Sequence, residues 1–99
     1  MKKINLFEQF VNEKSDYQVY HNSYSSAVQA ALDYARSKGF EVEEDDVWKE
    51  ISVGPKKPKD GVTNKATISL IKDGKPQRKA LQIQIYGMGN RYELNAYIN

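Results

Sequence analysis

At 99 residues, with 39% apolar and 28% charged side chains, the chain has material for one domain with a modest core and lies far from the composition of a disordered segment. It has no cysteine, which excludes disulfides, thiolate metal sites and a cysteine nucleophile, and no apolar run approaches the ~20 residues of a membrane helix. The formal charge of +2 is unevenly spread: Met1 to Gly54 holds six Lys/Arg against ten Asp/Glu, Pro55 to Lys79 eight against two, and Ala80 to Asn99 one of each.

In chain order, Ile4, Phe7, Phe10 and Val11 fall at helical spacing and predict a short amphipathic helix. Lys14 to Ser23 is polar and is read as a connector. The main helix begins near Ser23 to Ser26, whose side chains can cap the free amides of a first turn. Its apolar stripe is Tyr24, Ala27, Val28, Ala31, Leu32 and Ala35, one face of a 3.6-residue period. Lys38 suits its carboxyl end and Gly39 a left-handed cap, with Phe40 folding back. Glu43 to Asp46 then precede Val47, Trp48 and Ile51, an order that predicts a second short helix with those three on a common face. Gly54 to Gly61 contains two prolines, two glycines and a lysine cluster, and is read as an exposed loop.

Ala66, Ile68 and Leu70 alternate with polar residues up to Asp73-Gly74, a strong hairpin signal. Leu81, Ile83 and Ile85 alternate with Gln82, Gln84 and Tyr86, and Tyr92, Leu94, Ala96 and Ile98 with Glu93, Asn95 and Tyr97. Gly87 to Asn90 is the turn between them. The predicted fold is α+β, with N-terminal helices packed on one face of a three-stranded antiparallel β-meander. Its opposite face shows Thr67, Ser69, Gln82, Gln84, Glu93, Asn95 and Tyr97.

No constellation in this pattern predicts catalysis. The single histidine, His21, lies in the polar connector and reads as a solvated loop residue rather than a general base. One histidine and no cysteine leave no usual zinc set, and Glu41 to Asp46 lacks the ligand alternation of a calcium loop. Gly87-Met88-Gly89 sits between strands and opens no helix, so it holds no phosphate. No cofactor or metal is expected. The basic residues Lys56, Lys57, Lys59, Lys65, Lys75, Arg78 and Lys79, with Lys72, are the candidate contacts for a partner or for nucleic acid, either through phosphate neutralisation or through the amide-bearing sheet face. Lysines can also simply protect strand edges.

Phe7-Glu8-Gln9-Phe10-Val11-Asn12-Glu13 resembles the capsid-targeting peptide of internal head proteins from T-even-type tailed phages. In that family the peptide leads the protein into the prohead core, and the maturation protease cuts after the glutamate. The resemblance therefore implies cleavage between Glu13 and Lys14. Val11, where the family's protease prefers Leu or Ile, and Lys14, where a small residue is common, depart from the pattern. Stretches such as Tyr24 to Ala30, Lys79 to Gly89 and Tyr92 to Asn95 resemble small proteins of T-even-like and marine phages. Residues 1–13 are then an amphipathic helix or a targeting propeptide, and 14–99 a single α+β domain. The resemblance implies a location in the phage head interior and then the host cytoplasm, with no membrane partner. It also implies binding to a host protein, such as a restriction nuclease or another defence factor, which is blocked by occlusion. A small nucleic-acid-binding domain is the alternative.

Overall fold

Long alternating strands leave two rows of backbone donors and acceptors that must find partners, and this requirement shapes the sheet. The computed structural model describes residues 17–52 and 57–99. Its elements are β1 (Tyr20–His21), α1 (Tyr24–Ser37), β2 (Glu41–Val42), α2 (Glu44–Val47) continuing as a π-helical turn (Trp48–Ser52), β3 (Thr63–Lys72), β4 (Lys75–Met88) and β5 (Arg91–Ile98). The proposed amphipathic helix or propeptide at 1–13 lies outside the described residues.

The three-stranded meander carrying N-terminal helices is not what the chain forms. Among the described residues the sheet has five antiparallel strands in the order β1-β5-β4-β3-β2, curled into a half-barrel, with only two short helices. The two additional strands are two residues long, too short for alternation to reveal them. Each completes an edge: Tyr20 and His21 pair with Glu93 and Tyr92, and Glu41 and Val42 pair with Ile71 and Leu70.

Both hairpins close through two-residue turns. Asp73 and Gly74 have φ of 54° and 76° between the paired Lys72 and Lys75, the mirror-image turn that matches strand twist. The β4–β5 turn is Gly89-Asn90 alone, because Gly87 and Met88 still pair with Tyr92 and Arg91. Between Ser69↔Ala80 and Ile71↔Pro76 the register shifts, so that Gln77, Arg78 and Lys79 stand opposite Leu70. Such a bulge bends the strand and increases its twist.

Ala27, Val28, Ala31, Leu32 and Ala35 of α1 are buried against Ile68, Leu70, Leu81, Ile83, Ile85, Tyr92 and Leu94 of the sheet. Three alanines in the stripe let the helix axis approach the strands closely. Ser23 caps α1 by accepting from the Ser26 amide at 3.1 Å. The second helix departs from expectation in one side chain: Val47 and Ile51 pack on the core, whereas Trp48 is 63% exposed. The π-helical turn changes the angular spacing after Val47 and carries Trp48 off their face.

Candidate functional site

Residues directly paired across antiparallel strands point to one side of a sheet, so the register defines the face opposite α1. One row across it is Thr63, Tyr86, Glu93 and Tyr20; the next is Lys65, Gln84 and Asn95; a third is Thr67, Gln82 and Tyr97. Among the described residues no layer covers this face, and the buried core lies wholly on the other side. Tyr20, Tyr86 and Tyr97 are 49%, 39% and 38% exposed. The amides are organised: the Thr67 hydroxyl donates to Gln82 Oε1 at 2.9 Å, and Asn95 Nδ2 donates to Gln84 Oε1 at 3.2 Å.

The first two rows border a groove of about 580 Å³ whose polar lining is Thr63, Gln84, Tyr86, Glu93 and Asn95. Tyr17 and Val19 close one side. Their segment is fixed to the edge of β5, since Leu94 N–H donates to the Val19 carbonyl at 2.7 Å and Ala96 N–H donates to the Tyr17 hydroxyl at 2.9 Å. The Tyr17 ring packs edge-on against Tyr34 of α1, with centroids 5.3 Å apart. The Glu93 carboxylate makes no hydrogen bond or ion pair among the described residues.

The predicted basic residues are not brought together as a single patch. Lys75 sits at the β3–β4 hairpin tip, Arg78 and Lys79 in the bulged stretch, and Lys65 in mid-sheet beside Gln84. Lys57 and Lys59 lie at the other end of β4. There the 57–62 segment is a strap rather than a free loop: Pro58 is buried, Gly61 N–H donates to Gly87 O at 2.7 Å, and Gly87 N–H donates to Val62 O at 2.9 Å. From Lys75 to Gly87 is roughly 40 Å of extended strand. Lys56 and the Glu13–Lys14 junction lie outside the described residues.

His21 is not a solvated loop residue. It is 4% exposed, with Nε2 2.7 Å from the Gln18 carbonyl and Nδ1 2.6 Å from the Ser26 hydroxyl. A carbonyl only accepts, so Nε2 carries the hydrogen, and Nδ1 shares the second hydrogen bond with the Ser26 hydroxyl. The imidazole thereby staples β1 to the first turn of α1. Among the described residues, no group of three or more His, Asp or Glu side chains is arranged to hold a metal ion. No helix among them is long and apolar enough to cross a membrane.

The tyrosine of β4 is legible as the polar-phase partner of Ile85. Tyr20 is not, because a two-residue edge strand has no pattern, and its place beside Glu93 depends entirely on long-range pairing. No family model, curated protein or solved structure matches the chain.

Proposed function

We propose that the chain is a non-catalytic binding protein that docks a partner protein on the open face of its sheet and acts by occlusion. The observation that carries this reading is the sheet face that no other described element covers, which sets three exposed tyrosines among ordered amides. Tyrosine supplies large contact area at low entropic cost and is enriched at protein interfaces. The competing nucleic-acid reading draws on the basic balance of residues 55–79, but the described cations of this stretch are spread from one end of β4 to the other, and the Glu93 carboxylate, unpaired among the described residues, stands on the open face. Both features favour a protein over a phosphate backbone.

The biological setting follows from the resemblance of Phe7 to Glu13 to phage capsid-targeting peptides. In this setting the chain is packaged in the virion, cut after Glu13, and delivered to the host cytoplasm, where it blocks a host factor such as a defence nuclease. Mass spectrometry of purified virions tests delivery: the expected result is a chain beginning at Lys14, and its absence from virions removes the proposal. Docking is tested by the combined variant Tyr20→Ala, Tyr86→Ala, Tyr97→Ala, which should fold and lose the partner. Retained binding would move the interface elsewhere.

A further inference from the structure

We propose that the groove around Glu93 is a socket for a cationic side chain of the protein partner, an arginine in particular. This rests on the docking reading above and names the chemistry of its central contact. Glu93 is half-buried, yet its carboxylate has no partner among the described residues. The register places Tyr86 on one side of it and Tyr20 on the other, each about 5 Å away across the strands. A cation beside Glu93 gains from the full charge of the carboxylate and from the aromatic ring of Tyr86, which lines the same groove.

The rest of the lining fits a donor-rich guest. Asn95 uses its N–H to bond Gln84 Oε1, which turns its own carbonyl oxygen towards other donors, and Thr63 adds a hydroxyl oxygen. Tyr17 and Val19 offer an apolar wall for the methylene stem that carries the charge. The groove volume of about 580 Å³ admits a whole side chain. Two cations share the face: Arg91, two positions along β5, and Lys65, two strands away. Both are exposed, so water and salt screen them more than the half-buried Glu93. Arginine fits better than lysine because its planar fork can meet a carboxylate with two parallel bonds and lie flat on tyrosine.

An NMR titration of the full chain with N-acetylarginine amide tests the proposal, with the N-acetylcitrulline counterpart and cytidine monophosphate as comparators. The expected result is saturable shifts at Tyr20, Tyr86, Glu93 and Asn95 with the arginine compound. Glu93→Gln, nearly isosteric on an open face, should weaken binding about tenfold, and Tyr86→Ala should weaken it several-fold. The proposal is overturned by the absence of saturable shifts up to about 0.1 M ligand, by equal binding of the citrulline compound, or by indifference to Glu93→Gln. Tighter binding of the nucleotide overturns it in favour of a nucleobase site. None of these outcomes decides the docking reading, which the triple tyrosine variant tests separately.

Discussion

Gly87 shows how one missing side chain can join two segments. Its φ is ordinary, so conformational freedom is not the reason for glycine here. A Cβ at this position would overlap the carbonyl group of Lys59 and crowd the Pro58 carbonyl. Backbone on backbone cannot yield as a flexible side chain would. Gly87→Ala should therefore cost about 1–3 kcal/mol and release the 57–62 strap, read as a lower melting temperature with faster exchange of the Gly61 amide. Unchanged Gly61 exchange would show that the strap does not depend on this contact. His21 makes a second single-residue case. His21→Phe fills similar space but leaves the Gln18 carbonyl without its donor, a loss of about 1–3 kcal/mol. A double-mutant cycle with Ser26→Ala should show positive coupling in urea denaturation; zero coupling would mean that the ring packs but does not staple.

Among the elements, the pieces with internal periodicity were readable from sequence and the pieces held by distant partners were not. The stripe from Ala27 to Ala35 and the alternation of Leu81, Ile83 and Ile85 are local patterns, and each lies on a buried face. The five-stranded order depends on Tyr20 finding Glu93 and Glu41 finding Ile71, contacts that no window of neighbouring residues contains. The groove was hidden for the same reason, because Tyr17, Thr63 and Glu93 meet only once the sheet is assembled. The clasp between α2 and β3 belongs to this scale. Glu43 N–H donates to the Ser69 carbonyl at 2.9 Å, and Ser69 N–H donates back to Asp46 Oδ2 at 2.8 Å. The Ser69 hydroxyl, then its amide, and then the nearby Lys49 charge hold the Asp46 carboxyl below its ordinary value of 3.8. A depressed carboxyl contributes stability that is fully present above the ordinary value and is lost as pH falls through the lower folded-state value. Because Asp46 is partly exposed and water screens the interaction, the contribution should be under about 1 kcal/mol. Wild type should thus exceed Asp46→Ala in stability near neutral pH, and the gap should close in strong acid. An equal gap at both extremes in denaturant titrations would rule out the carboxylate as its origin.

Across the whole molecule, the charge asymmetry of the sequence becomes a distribution along one long strand. The structure is 44 Å in its longest dimension. Lys57 and Lys59 belong to the Gly87 end of β4, and Lys75, Arg78 and Lys79 to the hairpin end. Their separation is several times the Debye length of about 8–10 Å near physiological salt. Lys57 with Lys59, and Lys75 with Arg78 and Lys79, therefore act as two independent electrostatic sites, not as one patch. If any polyanion binds this chain, neutralising the strap lysines and neutralising the hairpin cations should lower the logarithm of the affinity additively, each reducing the salt slope by its own share. Measuring both variants and their combination against a short single-stranded oligonucleotide, between low and physiological salt, checks this. Strong non-additivity would mean that one ligand segment contacts both ends through a surface more continuous than the strand pairing describes. Additive and weak effects would leave the tyrosine face, rather than the lysines, as the source of specific recognition.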